Sequence, residues 1–505
     1  MLSPTALLLA LCLLQLALAA VILLYFGMSY TAAFLALVYL SLALCIVIFD
    51  RAATSPTYKL LWLWIFILLP LGGELLYFVW GRPGLLRRTA ARFEKQEQAA
   101  AAALEYDDAA LRQLAQTDPG LACQATYLTG QHAPLYRGTR VQYFGYGEQL
   151  FPVLLQKLRS AERSIWMEYF IYNEDSASWQ EILAILRQKA AAGVDVRMIY
   201  DAVGSLFSLP AHYAETLRRS GIRCHEFNPL RFSLHLSDYG FLNHRDHRKL
   251  CIIDGRIGFT GGVNMADEYF GRSRPYGYWK DATLLLEGAA VTSFSFTFLK
   301  MWNVLSGEQG GFAACRAAAL PGEALPLVQP FDDTPLDTEP VSQNAYSDLL
   351  HRAQRYLWIT TPYLIPDHSM IEALCLAAKC GVDVRIITPG VPDKKSVWLV
   401  TRSYYRQLLE NGVHIYEYAP GFIHSKLYLC DDKAAIVGTA NMDCRSLYLH
   451  FENCCAVYGS QAVAPIKRDF EAAFAVCRVI TLPDTRFPLS VRLRQLLLRF
   501  FAPLL

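Results

Sequence analysis

Charge is what this sequence has least of. Only 18% of its 505 residues are Asp, Glu, Lys or Arg, against 53% hydrophobic. Residues 1–80 hold just four charged positions, Asp50, Arg51, Lys59 and Glu74. That scarcity excludes disorder and makes a water-soluble globule a poor description of the front of the chain. No C-x-x-C pair occurs among the thirteen cysteines, which argues against a zinc site. Most cysteines sit in apolar runs, as Cys251 and Cys430 do, the pattern of buried free thiols in a reducing compartment. A net charge of +2 supplies no general field for nucleic acid or anionic lipid. No Lys or Arg precedes the first apolar run, unlike a secretory signal.

Three apolar stretches are present, Leu7 to Phe26, Ala32 to Phe49 and Leu60 to Trp80, each near the roughly 20 residues of a bilayer-spanning helix. Arg82, Arg87, Arg88, Arg92 and Lys95 follow the third, so the positive-inside bias places everything after residue 82 in the cytoplasm. Residues 88–116 are Ala-rich and charged and read as a surface helix serving as a spacer. Near the end, Leu493, Leu496, Leu497, Phe500 and Leu504 share one helical face, with Arg492, Arg494 and Arg499 and no acid around them. This stripe suits a membrane surface or a domain core equally well.

The chain repeats itself. GVDVR occurs at 193–197 and 381–385, each time after an Ala-rich helical pattern and before a short apolar run, which predicts βαβ units on a parallel or mixed sheet. The proline-rich stretch 312–340 reads as the connection between halves. Downstream of each repeat lies a cassette, HRKLCIIDGRIGFTGGVN from His247 and HSKLYLCDDKAAIVGTAN from His424. His, Lys, Asp, Gly and Asn keep identical spacing in both. Each cassette reads as strand, turn and return strand, so His247 and Lys249 share one face, as do His424 and Lys426. Asp254 and Asp431, at the turns, read first as caps that bond backbone amides. Asn264 and Asn441 are candidate amide donors to a phosphate.

Two imidazoles, two ammonium groups and two amides suit a phosphodiester. One His attacks phosphorus, the other protonates the departing alcohol, and the cations stabilise the equatorial oxygens. No metal and no cofactor is called for. Each His needs an orienting carboxylate, for which Asp281 (in WKD) and Glu452 (in FEN) are candidates.

The paired H-x-K-x4-D-x6-G-x2-N cassettes resemble the phospholipase D superfamily, and with LLPLGGELLYFVWGR, GGVNMADEY, GTANMDCRSLYLHFEN and the terminal FFAPLL the chain resembles its bacterial-type cardiolipin synthases. The resemblance implies an α/β fold of two pseudo-repeated phospholipase D-like domains sharing one active site, preceded by transmembrane helices. It also implies an active-site set of His247, Lys249 and Asp254 with His424, Lys426 and Asp431. The implied reaction transfers a phosphatidyl group between two phosphatidylglycerol molecules at the cell membrane through a phosphohistidine, with His247 the favoured nucleophile. A phospholipase D-type hydrolase or nuclease is the alternative, although the few cations near HRDHRK make nucleic acid an unexpected partner. Expected boundaries are 1–85 for the membrane helices, 86–135 for the connecting helix and linker, 136–315 and 340–482 for the two domains, and 484–505 for a C-terminal amphipathic helix. Oligomeric state stays open.

Overall fold

The computed structural model describes residues 87–229, 241, 243–322 and 325–502, together with 62–66, 72–77 and the single residues 24, 39, 41, 43, 59 and 69. The apolar stretches at 7–26 and 32–49, much of 60–80, and Leu504 lie outside the described residues. Among the described residues no helix is long and apolar enough to cross a membrane.

The apolar runs build two sheets with one strand order. The first comprises β1 (Thr139–Phe144), β2 (Ser164–Tyr169), β3 (Asp195–Asp201), β4 (Arg223–Phe227), β6 (Lys249–Ile253), β7 (Ile257–Gly261) and β9 (Thr283–Gly288), arranged β1-β9-β7-β6-β2-β3-β4. Two short strands, β5 (Arg245–Asp246) and β8 (Tyr278–Lys280), stand apart from it. The second comprises β10 (Leu327–Asp333), β11 (Tyr356–Thr360), β12 (Asp383–Pro389), β13 (His414–Tyr418), β15 (Leu427–Cys430), β16 (Ala434–Gly438), β17 (His450–Tyr458) and β18 (Cys477–Ile480). It runs β10-β17-β16-β15-β11-β12-β13-β18, the same order with one strand added; β14 (Gly421–Ile423) lies outside it. Within each sheet the three strands around the GVDVR copy are parallel and the others antiparallel. Right after β2 and β11, helices Ala177–Ala191 and His368–Lys379 make the parallel crossings, started by Ser176 and Asp367 as N-caps.

The sheets face each other. Trp166, Leu250, Ile252, Leu284 and Leu286 of the first meet a core shared with Trp358, Leu429, Val437, Cys455 and Val457 of the second. These ten side chains belong to one continuous buried cluster, so the halves act as one body. The outer face of each sheet carries its own helices and core.

Two expected boundaries are corrected. The stretch 312–340 is not merely a connection, because it contains β10, paired antiparallel with β17 and with Pro330 opposite Cys455. β10 is the edge of its sheet, where a residue without an N–H is tolerated. Nor is 88–116 merely a spacer. Helix Arg87–Ala103 lies along helix Val291–Ser306, where Lys300 pairs with Glu97 at 2.7 Å and Asn303 donates to Gln96 at 3.1 Å. The next helices, Asp108–Thr117 and Pro119–Gly130, bury Leu114, Leu121, Ala125 and Leu128 in the outer core of the second sheet. Arg88, Arg92, Glu94 and Lys95 of the first helix are exposed, as a solvated face predicts, while Glu97 turns inward to Lys300.

Candidate active site

Each cassette folds as expected into a tight hairpin, β6–β7 and β15–β16. Asp254-Gly255 and Asp431-Asp432 have φ between +54° and +66°, in loops of three residues closed by Ile253 opposite Ile257 and by Cys430 opposite Ala434. The aspartates then settle their own role. Asp254 accepts from the amides of Glu162, Arg163 and Ser164 at 2.7–3.2 Å, and Asp431 from those of Gln354, Arg355 and Tyr356 at 2.8–2.9 Å. Each carboxylate thus ties a hairpin tip to the entry of the neighbouring strand, β2 or β11. This corrects their placement in the reacting set: their lone pairs are taken up at the far end of the strand that starts beside His-x-Lys.

The histidines are held from across the seam. β5, just before His247, pairs in parallel with the start of β17, and His247 N donates to Phe451 O at 2.9 Å. β14, just before His424, pairs in parallel with β8, and His424 N donates to Lys280 O at 2.7 Å. The residue after each acceptor is a carboxylate. Glu452 therefore receives Nδ1–H of His247 at 2.9 and 3.0 Å, and Asp281 receives Nδ1–H of His424 at 2.7 Å. Each imidazole takes its orienting acid from the other half, so neither half is complete alone. With the proton on Nδ1, Nε2 of His247 keeps its lone pair for attack, while Nε2 of His424, which can carry a proton, lies 3.0 Å from Lys426 Nζ.

Lysines crowd both rings. Lys426 Nζ sits 3.0 Å from both ring nitrogens of His424, and Lys249 Nζ donates to His247 O at 2.6 Å. Burial, then the Lys249, Lys426 and His424 charges, hold His247 well below the usual imidazole range. Burial and Lys426 pull His424 down to about 4, against the opposing pull of Asp281. Burial also lowers Lys249 to about 7 and Lys426 to about 8. Because each acid reaches the other half's histidine at 2.7–3.0 Å, the two cassettes adjoin one seam. Two buried ammonium groups beside two neutral imidazoles suit an anion.

Asn264 and Asn441 are buried beside this set but are partly engaged. Asn264 donates to Tyr269 OH at 2.7 Å and accepts from Ile171 N at 3.2 Å; Asn441 donates to Asp443 at 3.0 Å.

Several neighbours escaped the sequence reading. Thr439 Oγ1 donates to Glu452. His450 Nδ1 lies 3.7 Å from Glu452, its ring 5.5 Å from that of His247, while Arg445 Nε donates to its Nε2 at 3.4 Å. Asn453 accepts from Lys249 N at 3.2 Å and donates to Thr260, another stitch across the seam. The matching positions in the other half are Gly262 and Trp279. A Cβ on Gly262 would overlap the Asp281 carboxylate, and the Trp279 ring lies tilted 5.4 Å from that of His424. Counting back from each Asn and each acid finds these four residues once the repeat is aligned, but nothing in their types announces a site. Donor atoms of His247, His450 and Glu452 lie within 4.8 Å of one another. With Lys249 and Lys426 adjacent and the carboxylate already taken by His247 and Thr439, they form a hydrogen-bond network poorly suited to a cation.

Two copies of one sheet, each lending a His-x-Lys to one region, define the phospholipase D-like class. The family described as cardiolipin synthase, PLD-like domain, matches residues 154–302 and 346–474, and a phospholipase D-nuclease N-terminal family matches 37–82. The chain belongs to the cardiolipin synthase, PLD-like domain family. It is 34% identical to a cardiolipin synthase of Geobacillus kaustophilus, covering 91% of this chain and 92% of that one. It is 38% identical to an uncharacterized protein of Streptococcus mutans (88% and 96%) and 41% identical to cardiolipin synthase 2 of Bacillus anthracis (64% and 62%). A phosphatidylserine synthase of Haemophilus influenzae shares the fold, with a TM-score of 0.58 at 16% identity, over 75% of this chain and 97% of that one.

Proposed function

We propose that this chain is a cardiolipin synthase in which His247 is the nucleophile and His424 the acid and base. Nε2 of His247 attacks the phosphorus of one phosphatidylglycerol, the P–O bond to glycerol breaks, and His424 gives that oxygen its proton. A hydroxyl of the second phosphatidylglycerol then returns a proton to His424 and attacks the phosphohistidine, releasing cardiolipin and restoring His247. Lys249 and Lys426 carry the charge of the equatorial oxygens, aided by the second amide proton of Asn264 and of Asn441. Entry of the phosphate also raises the two histidines toward their protonated range, readying His424 to donate.

The observation that carries this reading is the crossed pair of acids, Glu452 on His247 and Asp281 on His424. It leaves both Nε2 atoms without a proton and gives the two rings different surroundings. Membrane residence is part of the proposal: the apolar stretches at 7–80 anchor the chain, residues beyond 82 lie in the cytoplasm, and lipid reaches the site from the bilayer. The catalytic body spans both sheets with its helices, about 86–482. Labelled phosphatidylglycerol, resolved by thin-layer chromatography after incubation with the full chain in detergent, should give cardiolipin and glycerol. Phosphatidic acid alone would make the chain a hydrolase.

A further inference from the structure

The C-terminal helix, Leu489–Phe500, is fastened by the face opposite its exposed leucines. Gln495 is buried and donates to Leu399 O at 3.2 Å, Arg499 lies over the Tyr404 ring at 4.1 Å, Leu498 packs against the second core, and Ala502 just beyond is buried. Leu399 and Tyr404 belong to helix Lys395–Glu410. At 100° per residue these attachments fall on one side. Leu489, Leu493, Leu496 and Leu497 fall on the other, and they are 70, 57, 65 and 60% exposed. Exposed Arg492 and Arg494 border this stripe on its two flanks, and no acid occurs from residue 489 to 505.

A single exposed leucine needs no explanation; four on one face do. A second copy of the helix would cover the leucines but would bring Arg492 and Arg494 against their like, with no acid in either helix to receive them. A bilayer interface meets both needs, offering acyl chains to the leucines and anionic phosphates to the arginines. The stripe also continues into apolar chain: Phe500 and Phe501 pack against Trp62, Ile65, Phe66, Leu69 and Tyr77, part of the third apolar stretch. Helix Lys395–Glu410 starts beside Lys394, whose charge reaches His247.

We propose that helix Leu489–Phe500 lies in the headgroup layer of the bilayer, leucines toward the acyl chains and Arg492 and Arg494 on anionic lipid phosphates. It thereby seats the Lys395–Glu410 side of the catalytic body on the membrane. This goes beyond the catalytic proposal and can be tested without any turnover. The test places an environment-sensitive fluorophore at Leu496→Cys in the full chain, with the exposed Cys123 and Cys380 changed to Ser and residual labelling of the unsubstituted parent subtracted. The protein is reconstituted in vesicles of phosphatidylglycerol and phosphatidylcholine. Nitroxide-bearing lipid should quench the probe several-fold more than aqueous iodide does. Adding Arg492→Glu and Arg494→Glu should reduce that ratio. Quenching by iodide with indifference to nitroxide would overturn the proposal by placing the stripe in water. Protection from both quenchers would overturn it in favour of a protein cover such as a second copy.

Discussion

The two sides of the site perform one arrangement with different parts. Around His424 the acid is the shorter Asp281, pressed against Gly262, where a side chain would collide with it, and its ring neighbour is Trp279. Around His247 the acid is Glu452, which also accepts from Thr439 at the position matching Gly262 and faces His450 in place of the Trp. Among the described residues Asp281 accepts only from His424 and the Ala282 amide. Glu452 divides its charge among more donors, so it supports a positive His247 less than Asp281 supports a positive His424. Repetition of the cassette alone makes a symmetric pair; the residues around it give the pair a direction.

The strongest way to break this comparison is to remove each imidazole. His247→Ala and His424→Ala should each cost about 10⁴-fold or more in rate. They should differ with an activated phosphatidyl donor carrying a nitrophenol leaving group, which needs no acid. Label should then accumulate on His247 in the His424→Ala protein and on neither ring in His247→Ala, as read by peptide mapping under alkaline quench. Label on His424 would reverse the assigned roles.

The acids come next. Asp281→Asn, which removes the undivided partner, should lower kcat by about 10³-fold, and Glu452→Gln by about 10²-fold, within the range seen when an imidazole loses its orienting group. Equal losses, measured by steady-state kinetics, would mean that the sharing by Thr439 and His450 is without effect. Asp254→Ala and Asp431→Ala should behave otherwise: each leaves backbone amides unpaired, costing about 3 kcal/mol of stability, so thermal unfolding should come several degrees earlier while the folded enzyme keeps its kcat.

The lysines differ in the same sense. Both are charged below pH 7. As pH rises through about 7 for Lys249 and about 8 for Lys426, each loses the charge that receives the phosphate. Because kcat/KM reports the free enzyme, it should fall along an alkaline limb that begins near neutrality, at about tenfold per unit for each charge lost. A flat profile from pH 7 to 9 would remove the lysines from substrate binding. The smallest expected effect is His450→Trp, which copies the other side: kcat should change about threefold with KM unmoved, within the range of a positioning group.

Much of this was legible in advance. Identical spacing of five residues in two cassettes identifies the hairpins, and alternation along a strand pairs His with Lys. The candidacy of Asp281 and Glu452 followed from needing an acid per imidazole, yet which acid serves which ring was not, because the strands that deliver them, β8 and β17, pair with the opposite half. Pro330 concealed an edge strand, since proline signals a loop unless the partnerless side of the strand is known. The leucine stripe at the C-terminus was evident as a face, but the side that packs was settled by Gln495 and Arg499 rather than by the leucines.

Local spacing and periodicity by themselves determined the repeat, the hairpins and the chemical character of the site, because these depend on residues a few positions apart. The crossing of the acids and the unequal surroundings of the two histidines were decided only when two sheets closed on each other. Contacts between residues 143 and 205 positions apart in sequence depend on that packing, and no short stretch of chain encodes them.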